Sequence, residues 1–283
     1  MASDTLASPN HGERAGGRQP DMIVLHYTGM PSAKDALTRL CTQESQVSAH
    51  YFVFEDGRVI QMVPESRRAW HAGESAWGKD TDINSCSIGI EIAHPGHEPD
   101  YPPFPDRQMA AVATLCRGII VRRVIPQKRV LAHSDVAPSR KKDPGEKFPW
   151  QFLHRAGVGH WVEPMAISDG PEVKLGETGA VVSTVKSLFG EYGYKLSDGE
   201  VFDEEMRDVV IAFQRHFRPE KVDGIVDPST LLTMRRLLDA LPENLALMEA
   251  VGDADADAAP DVELFSDEPE PAEPREYQEP RAT

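Results

Sequence analysis

S-I-G-I-E-I at Ser87–Ile92 is the stretch on which the reading of this chain turns. Its isoleucines fit a short buried strand. Glu91 breaks the run, because a lone carboxylate in a buried strand costs on the order of several kcal/mol unless it is paired or solvated. Either one face of this strand opens onto something polar, or the strand lies at an edge with Glu91 in solvent. The residues themselves leave both open.

Working outward, M-I-V-L-H-Y at Met22–Tyr27 reads as another apolar strand, closed by Thr28-Gly29. Ser32–Thr42 reads as a helix with Ala36, Leu37, Leu40 and Cys41 on one face. His50–Phe54 and Arg58–Val63, joined through Asp56-Gly57, read as a hairpin. His94–Pro105 is a long Pro-rich loop, and long loops in compact domains are often functional. Asp106 is expected to cap a helix reaching Arg123, with Met109, Val112, Leu115 and Ile119 as its apolar stripe. A strand at Val130–Ala132 and a helix from Pro149 to Arg155 complete the set. The expected fold class is α/β (α+β), a mixed central sheet flanked by helices, over residues 21–157.

Residues 158–172 read as a linker, and 173–245 as a small, separate all-α three-helix C-terminal domain. Its helices are expected at Val181–Phe189, Asp203–Phe217 and Pro228–Leu241, with Asp203 and Asp227 as caps. Residues 1–20 read as a disordered lead-in. Residues 252–283, rich in Asp, Glu, Pro and Ala, read as a disordered acidic tail.

The net charge is −16, which opposes sequence-independent nucleic-acid binding. Val251–Thr283 holds eleven acids against two bases, so −9 of that charge belongs to the tail rather than to any site. Cys41, Cys86 and Cys116 form no CxxC pair and fit a reducing compartment. No stretch reaches the roughly 18 apolar residues of a membrane span, and Met1–Pro20 lacks an apolar signal region. The expectation is a cytoplasmic protein, with the periplasm or cell envelope as the alternative.

His26 and His133 each end a strand, and Asp143 follows ten residues after the second. Two neutral imidazoles and a carboxylate suit Zn²⁺ and leave a fourth position for water. Strand-end histidines bonded to carbonyls, and an Asp-Pro-Gly turn, explain the same residues equally well. Glu91 beside a metal-activated water would serve as a general base. Lys141 has the charge to stabilise an oxyanion, although Arg140-Lys141-Lys142 also fits a solvated basic turn.

L-H-Y-T-G-M at 25–30, S-A-H-Y-F-V at 48–53, R-A-W-H-A-G at 68–73, N-S-C-S-I-G-I-E at 84–91 and A-H-S-D-V-A-P-S-R-K-K-D-P-G at 132–145 follow in fixed order. Together they resemble the zinc-dependent N-acetylmuramoyl-L-alanine amidases, the family that includes phage lysozyme-like amidases and peptidoglycan recognition proteins. The resemblance covers about residues 20–157. It implies Zn²⁺ held by His26, His133 and Asp143, catalysis by Glu91 and Lys141, and a substrate cleft lined by Tyr27, Trp70 and His71. His50 is expected to be structural.

Some relatives carry Cys as the third ligand and a catalytic Tyr in the second segment. Here Asp143 and Ala49 stand at those places, which suggests the Glu-dependent bacterial branch. L-G-E-T-G-A-V-V-S-T-V-K-S-L-F at 175–189, A-F-Q-R-H-F at 212–217 and V-D-G-I-V-D-P-S-T at 222–230 resemble the three-helix peptidoglycan-binding repeat, with Lys186 where Gln is usual. A generic three-helix bundle is the other reading. The partners implied are peptidoglycan or muropeptides, including anhydro-muropeptides. The reaction implied is hydrolysis of the amide between the muramoyl lactyl group and L-alanine, with a non-catalytic wall-binding protein as the alternative.

Overall fold

The computed structural model describes residues 4–98, 100–242 and 244. The strands are β1 (Asp4–Thr5), β2 (His11–Gly12), β3 (Met22–Tyr27), β4 (Tyr51–Val53), β5 (Val59–Gln61), β6 (Arg68–Ala69), β7 (Ser87–Ile92) and β8 (Val130–Ala132). The α-helices are α1 (Ala33–Leu40), α2 (Ile83–Cys86), α3 (Asp106–Arg123), α4 (His133–Val136), α5 (Trp150–Arg155), α6 (Ala180–Tyr192), α7 (Glu204–Phe217) and α8 (Pro228–Asp239). Six strands form one sheet in the order β1-β5-β4-β7-β3-β8, and β2 pairs with β6 apart from it. Only the β4–β5 hairpin is antiparallel within the large sheet, so the expected mixed sheet flanked by helices is what forms.

β7 is central, not an edge, and its alternation settles the question posed by Glu91. Ile88, Ile90 and Ile92 join Ile23 and Leu25 of β3 against Met109, Val112, Leu115 and Ile119 of α3. Ser87, Gly89 and Glu91 alternate onto the opposite face. Burying each isoleucine stabilises by roughly 1.5–3 kcal/mol. A one-residue slip would turn all three outward, so the register is fixed.

The helix ends follow local chemistry. Ser32, Asp203 and Asp227 each cap a helix by accepting a backbone N–H, from Asp35, Met206 and Thr230 respectively. Asp106 does not cap α3: Pro105 occupies the cap position, and Asp106 is already helical. There its charge still favours the positive end of the helix.

The expected disordered lead-in is ordered over its described part. β1 pairs with β5, and β2 pairs with β6. Arg14 is buried and donates to the carbonyls of Glu65, Asn84, Ser85 and Ser87. Polar composition suggested a segment with no core to join. In fact its guanidinium satisfies backbone carbonyls that would otherwise be buried without partners.

The helical module is not separate. One hydrophobic cluster contains Met22, Val24, Trp77 and Leu131 together with Phe189, Tyr194, Phe213 and Phe217. Trp77 packs edge-on to Tyr194 at 4.8 Å, and its indole lies so close to Gly193 that a Cβ there would sit 2.4 Å away. Gly193 also has φ +138°, so two constraints demand glycine. The expected linker is held down as well. Val158 is fully buried, Trp161 packs against the cores on both sides, and Met165 exchanges hydrogen bonds with Thr233 and Ser229 of α8. The acidic tail lies outside the described residues. Among those described, no helix is long and apolar enough to cross a membrane.

Candidate active site

Sheet register builds the site. β3 and β7 pair in parallel with His26 opposite Glu91, so their side chains emerge side by side. β8 pairs Ala132 with Leu25, so the next residues, His133 just past the end of β8 and His26 still within β3, follow side by side. α4 begins at His133, and the loop after it returns Asp143 to the same point, where the Ser134 N–H donates to the Asp143 carbonyl.

His26 Nδ1 lies 2.9 Å from His133 Nδ1 and 3.2 Å from Asp143 Oδ2, and His133 Nδ1 lies 2.9 Å from the same oxygen. The tautomers follow from the surrounding bonds. His133 Nε2–H donates to the Ala72 carbonyl, so its Nδ1 carries the lone pair. The Ser87 hydroxyl donates to the Ile83 carbonyl and accepts from His71 Nε2. His71 Nδ1 is then an acceptor for His26 Nε2–H, which leaves His26 Nδ1 as a lone pair too.

Three acceptor atoms therefore converge, all within 4.8 Å of one another and all on buried residues. Such lone pairs repel unless a cation or proton lies among them, so this donor set fits a metal ion. Burial, reinforced by His133, lowers the His26 pKa to about 4. Burial works against ionised Asp143, but a proton held on His133 or His26 outweighs it and keeps the carboxylate well below its ordinary range.

Beside this cluster lies a cleft of about 380 Å³, lined among others by Tyr27, Trp70, Glu91 and Lys141. Glu91 Oε2 is buried and has no hydrogen-bond partner among the described residues. Burial first, then the negative charge of Asp143, raises the Glu91 pKa to about 8, while Lys141 pulls it down. Of the three adjacent bases, Arg140 is bound to the carbonyls of Ala72 and Glu74 and Lys142 is exposed; only Lys141 reaches this cleft.

The structure thus brings His26, His133, Asp143, Glu91, Lys141, Tyr27 and Trp70 to one place. His71 touches the cleft wall, but both of its ring nitrogens are engaged, by His26 and Ser87. It lies behind His26, a candidate ligand, with its ring nitrogens already bonded. His50 is fully buried and accepts the Gly89 N–H, a structural placement.

Sequence reasoning gave no role to Ser87, Gly89 or Asn84. Asn84 Oδ1 accepts the N–H groups of His71 and Ala72 and so pins the W-H-A-G loop. A Cβ on Gly89 would sit 2.4 Å from the His71 ring, so that glycine clears room for it. The visible signal was the small residues at the first and third places of S-I-G-I-E, Ser87 and Gly89.

An α/β sheet with two histidines and an aspartate converging beside a polar cleft defines a candidate metallohydrolase. Comparison with known proteins makes this specific. The family description N-acetylmuramoyl-L-alanine amidase matches residues 16–146, and the putative peptidoglycan binding domain matches residues 178–234. The N-acetylmuramoyl-L-alanine amidase AmiD of Escherichia coli (strain K12) is 36% identical over 231 residues, covering 77% of this chain and 82% of that protein. The 1,6-anhydro-N-acetylmuramyl-L-alanine amidase AmpD of the same organism is 32% identical over 162 residues, 51% of this chain and 86% of its own.

The solved complex of the E. coli amidase AmiD with anhydro-N-acetylmuramic acid-L-Ala-D-γ-Glu-L-Lys aligns with TM-score 0.68 at 34% identity, over 80% of this chain and 91% of that one. AMPDH3 from Pseudomonas aeruginosa with an anhydromuramic pentapeptide aligns with TM-score 0.65 at 30% identity, over 78% and 92%. The chain belongs to the N-acetylmuramoyl-L-alanine amidase family.

Proposed function

We propose that the chain hydrolyses the amide joining the lactyl group of N-acetylmuramic acid, including its 1,6-anhydro form, to L-alanine. The observation carrying this reading is the paired register of His26 and Glu91, which sets a carboxylate with an unpartnered oxygen beside three converging ligand atoms. Anhydro-muropeptides bound to two relatives that align over most of this chain support the substrate class.

His26, His133 and Asp143 would hold Zn²⁺. When bound, that ion supplies Lewis acidity, which lowers the pKa of water toward about 7 and polarises a carbonyl. Glu91 accepts a proton from the attacking water and delivers it to the departing L-alanine amine. The Lys141 ammonium offsets the negative charge that develops on the carbonyl oxygen. Tyr27 and Trp70 are assigned to the cleft walls that orient the substrate.

The peptidoglycan-binding match over 178–234 supports action on polymer, and the anhydro-sugar relatives support released muropeptides. On this reading the domains are catalytic at 21–157 and peptidoglycan-binding at 173–245. A chelation experiment tests the proposal. Peptide release from purified anhydro-muropeptides should stop on removal of metal and return with zinc. Release that persists in metal-free protein, or none from either muropeptides or sacculi, would refute it.

A further inference from the structure

The motif A-H-S-D at 132–135 contains a residue that the amidase chemistry does not use. Asp135 is 1% exposed, and its carboxylate takes three donors. Oδ2 accepts the Ala132 N–H at 2.8 Å, which fixes the first turn of α4, where His133 stands. The other two donors come from the helical module: His216 Nδ1 to Oδ2 at 2.7 Å and the Tyr194 hydroxyl to Oδ1 at 2.8 Å. The His216 ring stacks on Trp150 of α5 at 3.7 Å, so it is held on both its edge and its face.

The neighbouring residue connects, through two others, to Tyr27 in the cleft lining. Arg215 lies 3.7 Å from Glu146 Oε2, and that oxygen accepts from His97 Nε2 at 3.1 Å. Because a carboxylate accepts only, His97 Nδ1 is the acceptor for the Tyr27 hydroxyl, at 2.9 Å. Two adjacent residues of α7 thus lead to two parts of the site, one behind His133 and one behind Tyr27.

We propose that α7 of the helical module is a positioning element of the catalytic centre. His216, with Tyr194, holds the His133 turn through Asp135, and Arg215 holds Tyr27 through Glu146 and His97. This makes the module part of the amidase machinery rather than only a device for binding wall. Outer partners of metal ligands commonly change metal affinity by about 10–100-fold when lost, and a partner one bond further out should act at the low end.

The inference rests on the zinc-amidase reading, so one of its readouts is independent of metal and turnover. In the full chain, His216→Phe keeps a ring against Trp150 but removes the donor, while His216→Asn restores an N–H near Nδ1 without the ring. In metal-free protein, amide exchange at residues 132–136 should quicken about tenfold in His216→Phe and return toward wild type in His216→Asn. Zinc affinity by chelator competition should fall about tenfold and recover in parallel.

Tyr194→Phe, which deletes one hydroxyl, should show the same changes at about threefold and decides the matter if His216→Phe fails to fold. Arg215→Met should raise KM for an anhydro-muropeptide several-fold with zinc affinity unchanged. Wild-type exchange at 132–136 in folded His216→Phe or Tyr194→Phe overturns the His133 arm. Unchanged KM and kcat in Arg215→Met overturns the Tyr27 arm. A wild-type chain that binds no zinc would sink the functional reading, while the exchange measurement would still decide this one.

Discussion

On the side of the candidate metal ligands, His26 and His133 have their outward nitrogens committed, to His71 and to the Ala72 carbonyl, so only the inward lone pairs remain available. On the side of the candidate reacting groups, among the described residues, Glu91 Oε2 has no hydrogen-bond partner and Lys141 Nζ makes no hydrogen bond or ion pair. The first side is over-determined and the second is left reactive. A ligand set must be oriented before its ion arrives, whereas a base and an electrostatic partner must stay free until substrate does.

Changes on the oriented side should therefore act through the metal, and those on the reactive side through turnover alone. The largest effect is expected from His133→Ala, which should abolish stoichiometric zinc and reduce peptide release beyond detection. Metal analysis and turnover on the same sample check it, and retained zinc would break the contrast. Lys141→Ala should bind zinc normally but lose about 10²–10³ in kcat, the scale of removing one group that stabilises an oxyanion. A fall in zinc content there would erase the distinction between the two sides.

His71→Phe sharpens the contrast from the oriented side. It removes the acceptor that sets the His26 tautomer, and zinc affinity should drop about tenfold or more. Ser87→Ala should act in the same direction more weakly, because His71 keeps its place over Gly89.

The smallest effect is on stability. With the His26 pKa lowered to about 4, the unfolded chain binds more protons between that value and the ordinary histidine value of 6.5, so stability rises with pH there. Glu91 acts oppositely. Without metal its pKa is raised from 4.5 to about 8, so the metal-free native state holds a proton that the unfolded state has released, and its stability falls as pH rises through that window. Metal-free Glu91→Gln should therefore melt a few degrees above the wild type at pH 8 and close to it at pH 4.5. Equal melting temperatures at both would remove the account of Glu91 as a desolvated carboxylate.

Much of this was legible in the sequence because it is periodic or local. The β7 alternation, the Asp56-Gly57 hairpin and the caps at Asp203 and Asp227 all depend on neighbours in the chain. The candidate residues were legible through motif order, and Glu91 also through the physical cost of its position. What stayed hidden depends on partners far away in the chain. Arg14 reads as one base in a polar lead-in until its carbonyl partners, 51 to 73 residues away, are in view. His71 reads as a cleft residue until Ser87 is seen to use its second nitrogen. Asp135 and His216, 81 residues apart, give no local sign of their bond, and the module therefore read as separate.

The central claim is that Glu91 is the base beside a metal held by three other residues. Zinc content and peptide release from an anhydro-muropeptide, measured on one preparation of Glu91→Gln, test it most directly. The account predicts about one zinc per chain with turnover reduced by about 10²–10⁴. Full turnover at full zinc occupancy would contradict it.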